Sequence, residues 1–291
     1  MSAAVHSSPA IGGQDAGARA ARWIAYLVVA IGALLMLAPF WFMFVFATHS
    51  RGEIFNLPPP VWFGDDLATN FKILTERLPF WRNLGWSVYV ALMATVLTLL
   101  FCSMAGYAFA LMEFRFKKAL FGLVMATMLL PSFMNMIPMF MIMDALGWID
   151  QQRALYVPGA ASAFGIFLMR QFIAGVPDDL IDAARMDGAS ELLILFKIVA
   201  PSVAPAIAAL ALFAFVYHWN SYLWPLTVLQ GNADAYPIVI SLSRLLSYNR
   251  GAVNTGLVMA GATLAVLPPL VLFVFLQRFF VDSIVGSAIK G

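Results

Sequence analysis

Pro177-Asp178-Asp179-Leu180-Ile181-Asp182-Ala183-Ala184-Arg185-Met186-Asp187-Gly188-Ala189-Ser190-Glu191 is a polar, acidic island in a greasy chain. Apolar runs of about 20 residues, enough to cross a bilayer as helix, flank it on both sides. A short structured segment between two such helices sits at the bilayer surface, within reach of a soluble partner. Its local signals predict two short helices meeting at a corner. Pro177 fits a first helical turn, where its missing N–H costs nothing, and Asp178 and Asp179 complement the positive helix end. Gly188 is free to take the left-handed conformation that stops a helix. Ser190 and Glu191 supply the start of the next one. Leu180, Ala183, Ala184 and Asp187, three to four apart, share one side. From the residues by themselves the island is either a docking element or an interfacial turn between spans.

Composition sets the class around it. Of 291 residues, 62% are hydrophobic and only 11% charged, with a mean hydropathy of +0.86, outside the soluble globular range. The net charge of +2 is too small and too scattered to favour nucleic acid. The single cysteine, Cys102, lies in an apolar run and is read as a packing residue. Residues 1–21, rich in Ala, Ser and Gly, are expected to form a disordered tail, and 22–291 a transmembrane domain.

Six spans can be drawn, at about Trp23–Phe46, Leu84–Met112, Leu120–Met143, Leu155–Ile173, Ile198–Leu223 and Thr255–Phe280. Arg115, Lys117 and Lys118 between the second and third face inward by the positive-inside rule. Arg19, Arg22, Arg278 and Lys290 agree, so both termini and the island are expected on the cytoplasmic side. The links Thr48–Asn83, with Pro58-Pro59-Pro60, Trp62 and Trp81, and Gln230–Asn254, with Arg244 and Arg250, then face outward as surface loops. No charged residue lies in the middle of a span, which argues against proton relays and ion-coupled carriers. The third span should break between Pro131 and Pro138, and Pro201 and Pro205 should kink the start of the fifth.

The island resembles the "EAA" loop of ABC importer permeases, here Asp182-Ala183-Ala184-Arg185-Met186-Asp187-Gly188 with Pro201 downstream. Asp182 stands where that pattern has Glu, which keeps the charge and shortens its reach. Leu130-Pro131, Ile137-Pro138, Gly165-Ile166-Phe167-Leu168-Met169-Arg170-Gln171-Phe172, Trp219-Asn220-Ser221-Tyr222-Leu223-Trp224-Pro225 and the terminal Ile289-Lys290-Gly291 resemble the MalG-like half of carbohydrate importers. The pieces stand in family order over roughly Ala21 to Gly291. The resemblance implies an all-α membrane protein of the type I importer permease fold in a bacterial or archaeal cytoplasmic (inner) membrane. It implies a non-catalytic permease subunit of an ATP-driven, binding-protein-dependent sugar importer, forming half of the translocation pathway. Residues 177–192, with Asp182, Ala183, Ala184, Asp187 and Gly188, would couple it to an ATPase, and Lys290 and Gly291 would reach toward the ATPase pair. Its partners would be a homologous second permease, an ATPase dimer that binds ATP and Mg, an extracytoplasmic solute-binding protein and the lipid bilayer. The nearest rival cargo is a polyol or glycerol phosphate; a self-sufficient channel or carrier is the rival from another class.

No lysine follows a glycine, so no Walker A phosphate loop is present, and no cofactor is expected in this chain. With His6 in the tail and His49 at a membrane edge, metal or triad constellations have little to draw on. Sugar recognition needs aromatic faces and neutral hydrogen-bonding groups. Tyr217, His218, Trp219 and Asn220 at the end of the fifth span supply both, and Asn135 in the broken third span is expected to face a cavity. These five are the substrate-path candidates.

Overall fold

The computed structural model describes residues 14–231, 233–248 and 255–288, and every regular element among them is helical. The principal helices are α1 (Gln14–Ala47), α2 (Leu67–Arg77), α3 (Phe80–Leu111), α4 (Lys117–Thr127), α5 (Met136–Ala145) and α6 (Ala163–Ile173). They continue as α7 (Asp178–Met186), α8 (Ala204–Trp219), α9 (Ile238–Tyr248), α10 (Thr255–Ala265) and α11 (Leu267–Ala288). Among the described residues three stretches are long and apolar enough to cross a membrane: Gly17–Ala47, Phe80–Leu111 and Thr255–Phe279. A fourth arises if the pair Glu191–Ser202 and Ala204–Trp219, bent by 90°, counts as one span.

α3 is the axis of the fold. Its 32 residues extend about 48 Å, well past a hydrocarbon core of about 30 Å, and α6, α8 and α9 pack along it. The contact with α6 is the tightest. A Cβ on Gly106 would stand 2.6 Å from the Cβ of Met169 and 2.9 Å from the backbone nitrogen of Arg170. A Cβ on Gly165 would stand 2.6 Å from Cys102 Sγ. Two glycines, one on each helix, thus let the backbones approach as small residues do between helices in lipid. Gly106→Val should lower the thermal midpoint of the detergent-solubilised protein, at an overpacking cost of about 1–3 kcal/mol. Gly32→Val, on α1 with nothing within 4 Å, should leave the midpoint unmoved.

The proline positions act as the sequence predicts. Between α4 and α5 the chain leaves the helix at Pro131 and re-enters through a 3-10 turn, Ser132–Asn135. Pro138 is harmless in the first turn of α5. Ahead of α8 the turn Leu195–Val199 loosens to π-helix, and the amide of Ala200 reaches back to Leu195. Pro201, which would clash with the carbonyl four residues earlier, follows directly. The run Leu155–Ile173 is also interrupted: Arg153–Tyr156 ends before Pro158-Gly159, and α6 has only 11 residues.

Two expectations need correction. The expected tail is helical from Gln14, because Ala16, Ala18, Ala20 and Ala21 are strong helix formers; residues 1–13 lie outside the described part. The two links expected to face outward are not simple loops, since they carry α2 and α9. Asn70 and Leu74 of α2, and Ile238, Ile240 and Ser241 of α9, are buried. Asn70 Nδ2 donates to the carbonyls of Ala47 and His49, both at 3.0 Å. Asn83 Nδ2 of α3 donates to Ser241 Oγ at 2.6 Å. At the same end Asp150 Oδ1 accepts from the amides of Gln230 and Gly231 at 2.6 and 2.9 Å, and Arg82 pairs with Asp234 at 3.0 Å. These contacts bind the links into one structured face.

α1 is different. Only its last residues, such as Val45 and Ala47, are buried, whereas Leu34, Leu35 and Met36 are largely exposed. Such a face is at home only in contact with lipid or another apolar surface.

Candidate functional site

The island forms the predicted corner. α7 starts after Pro177, which is its N-cap rather than its first helical residue, with Asp178 and Asp179 in the first turn. It ends in a left-handed glycine, Gly188, at φ +78°. The amide of Ala189 donates to the Ala184 carbonyl and that of Gly188 to the Arg185 carbonyl, both at 3.0 Å. This paired pattern closes a helix end. Ser190 Oγ then caps the next helix by accepting from the amide of Leu193 at 3.4 Å.

The faces of α7 divide differently from the sequence expectation. Ile181 and Ala184 are buried, packed with Ile173, Val176, Ile194 and Leu195. Leu180 and Met186 are exposed, Met186 to 88%, and so are Asp182, Ala183, Asp187 and Gly188. Ala184 is therefore an inner packing residue. It is turned by about 100° from its neighbour Ala183, so the packing of α7 buries one alanine and leaves the other exposed.

A polar clamp fixes this corner to the body. Arg185 Nε donates to Glu191 Oε1 at 3.0 Å, and Arg185 lies 3.5 Å from Asp182. The other oxygen of Glu191 accepts a short hydrogen bond from the hydroxyl of Tyr107 on α3. The corner is thus tied to itself and to the longest structured helix of the core. Tyr107 and Glu191 escaped the sequence reading because they are 84 residues apart; only the fold brings them together.

A second constellation lies around the end of α8. One cavity of 420 Å³ is lined by Thr98, Gly159, Ser162, Phe213, Tyr217 and His218, among others. A smaller one of 170 Å³ is lined by Asn135, Gly159, Tyr217, His218 and Ser221, with Met136, Met139 and Trp224. They share Gly159, Tyr217 and His218. The His218 ring lies against Gly159, where a Cβ would approach to 2.8 Å, and is edge-on to Tyr217 at 5.2 Å between centroids. Asn135, Tyr217 and His218 are thereby gathered. Trp219 is not among them: it is buried and stacked on Phe215, 5.6 Å between centroids and 15° between planes. Asn220 caps α8 at an exposed position and lines neither cavity. One step along a helix turns a side chain by about 100°, so four consecutive residues cannot all face one cavity. Thr98, Gly159 and Ser162 were missed because small polar residues inside apolar runs read as packing. Lys290 and Gly291 lie outside the described residues.

The family described as "binding-protein-dependent transport system inner membrane component" matches residues 102–286. The chain belongs to that family. This importer component is 37% identical to the lactose transport system permease protein LacG of Rhizobium radiobacter over 268 residues, which is 91% of this chain and 95% of that one. It is 36% identical to the arabinooligosaccharides transport system permease protein AraQ of Halalkalibacterium halodurans over 220 residues, 75% and 77% of the two chains. It is 30% identical to the sn-glycerol-3-phosphate transport system permease protein UgpE of Agrobacterium fabrum over 279 residues, 92% and 97% of the two. Its fold matches a solved bacterial ABC transporter involved in import of the acidic polysaccharide alginate. There the TM-score is 0.76 at 22% identity, covering 94% of this chain and all of that one.

The permease is accordingly a membrane transport component and not an enzyme. Among its described residues no group of three or more His, Cys, Asp or Glu side chains is placed to hold a metal ion. The family match takes in Tyr107, the α7 corner, Glu191 and the lining of both cavities except Thr98, whereas α1 and α2 lie outside it.

Proposed function

We propose that this permease is one transmembrane half of an ATP-driven importer for a sugar or oligosaccharide. Its α7 corner acts as the coupling element, and the Asn135–Tyr217–His218 cleft forms part of the path. Six passes, some made by broken helices, with both termini and α7 cytoplasmic, accord with the placement of Arg115, Lys117 and Lys118. The membrane is the bacterial or archaeal inner membrane. A homologous permease would supply the other half of the path, two ATPase subunits would bind ATP and Mg, and a solute-binding protein would dock on the face that holds α2 and α9. The tail residues Lys290 and Gly291 would reach toward the ATPase pair.

The observation that carries the coupling role is the asymmetry of α7. Its buried edge and the Arg185–Glu191–Tyr107 clamp join it rigidly to the core, while Leu180, Ala183, Met186, Asp187 and Gly188 stay uncovered. A lever needs both: a stiff attachment behind and a free surface in front. Cargo class rests on the cleft. Thr98, Asn135, Ser162, Tyr217, His218 and Ser221 offer neutral hydrogen-bonding groups beside aromatic faces, and no Lys or Arg lines either cavity. That suits hydroxyl-bearing neutral cargo better than glycerol phosphate, whose dianion would call for a cation.

In vesicles holding the complete complex, sugar-loaded binding protein should stimulate ATP hydrolysis and uptake, and glycerol phosphate should not. His218→Ala should lower sugar uptake about threefold or more, the loss of about one hydrogen bond. Asn220→Leu, away from the cleft, should change it less than about twofold on the same scale. Equal loss in both variants would remove the cleft from the path.

A further inference from the structure

The link between α3 and α4 encloses a cleft of 660 Å³ with a composition unlike the rest of the molecule. Lys117, Lys118 and Arg170 line it together with Phe109, Phe114, Phe116, Phe121, Ala119 and one carboxylate, Glu113. Glu113 is already engaged by Lys117 Nζ at 3.1 Å. Arg170 projects from α6 with its Nε donating to the Phe109 carbonyl at 3.2 Å and its guanidinium 4.4 Å over the Phe121 ring. No ion pair among the described residues engages Arg170 or Lys118. The backbone is bent to make the cleft: Phe116, a non-glycine residue, is held at φ 64° immediately before α4. Three cations against one committed carboxylate leave an unbalanced positive recess. It opens where α3, an apolar helix of membrane-crossing length, ends.

We propose that this recess binds the phosphate headgroup of an anionic phospholipid, with Arg170 and Lys118 as the principal ligands and Lys117 beside them. The lipid source, rather than free phosphate, follows from the walls. Phe114 and Phe116 are exposed at the mouth, and Leu120 and Leu123 continue outward from it along α4 as exposed apolar residues. Acyl chains would lie against that row while the headgroup sits among the cations. Basic pockets between helices at the membrane surface suit such headgroups, each Lys or Arg near the surface contributing an attraction worth about fivefold in affinity. The inference rests on α3 crossing the membrane, and is independent of which cargo is carried.

The test uses the complete permease–ATPase complex in detergent, titrated with cardiolipin or phosphatidylcholine and read by native mass spectrometry. Cardiolipin should remain bound in wild type and phosphatidylcholine should not. Lys118→Gln, a change on an exposed side chain, should weaken retention about fivefold, and Lys117→Gln/Lys118→Gln about twenty-five-fold. Millimolar inorganic phosphate should fail to displace the lipid. Unchanged retention in the variants would overturn the proposal. So would displacement by phosphate, or loss of the ATPase subunits from the variant complex with lipid retention intact, which would make the recess a protein interface. Sugar uptake in wild-type vesicles is a separate readout, so failure here and failure of the importer reading are distinguishable.

Discussion

Gly188→Asp is expected to abolish uptake, by at least about tenfold, while the chain still inserts in the membrane at wild-type levels. The expectation comes from two facts about one residue. Gly188 has φ +78°, and a Cβ built on it meets nothing within 4 Å. A side chain there costs about 1–2 kcal/mol of left-handed strain, less for Asp and Asn, which tolerate that region. The fold therefore survives. What the new carboxylate does enter is the open space in front of the corner, where a coupled partner would seat. About 1.4 kcal/mol lost from that contact is tenfold in occupancy. Gly188→Asn, similar in volume and uncharged, should retain more uptake than Gly188→Asp and separate the charge from the backbone. Wild-type uptake by the aspartate variant would remove the docking role.

The second large effect is expected at Glu191. Its two oxygens hold Arg185 and Tyr107, so Glu191→Ala frees the corner from α3 and leaves Arg185 with Asp182 at 3.5 Å. Hydrogen bonds to charged groups contribute about 1.5–3 kcal/mol. The side chains of Arg185 and Glu191 are 38% and 42% exposed, so solvent screening reduces their share to about 1 kcal/mol or less. The consequence is mechanical more than thermodynamic. ATP hydrolysis by the assembled complex should persist while uptake falls about fivefold to tenfold. Tyr107→Phe, which removes one strand of the clamp, should cost about threefold. The double variant Glu191→Ala/Tyr107→Phe should be no worse than Glu191→Ala, because both changes break the same bridge. Fully multiplicative losses would show that Tyr107 and Glu191 act separately.

Much of this was legible in the residues because the signals are local. Proline removes an N–H wherever it stands, so the breaks at Pro131 and before α8 follow from the sequence. The corner at Gly188 is written in a capping grammar that spans only about a dozen positions. Family resemblance supplied the rest of the role. What resisted reading is what depends on distant contacts. The links that hold α2 and α9 read as loops because of their prolines and charged residues, although Ile238, Leu242 and Leu245 stand four and three apart, a spacing that a helix buries. Trp219 has the chemistry of a sugar-stacking ring, and only its contact with Phe215 assigns it to the core. Ala184 and Ala183 are the same residue type one position apart, and only the packing of α7 says which faces inward. The Tyr107–Glu191 bond joins two ends of an 84-residue separation that no local pattern marks.

The central claim is that an ATP-powered partner grips the uncovered face of α7 and moves the permease through it. The only cysteine of the chain, Cys102, is buried, so Met186→Cys places a single accessible thiol on that face. In vesicles of the complete complex, a short bifunctional maleimide should join position 186 to the ATPase subunit. That cross-link should change in yield when ATP is added and hydrolysis is blocked. Labelling of position 186 only from the outer side of the membrane, or a cross-link to the solute-binding protein in place of the ATPase, would contradict the account.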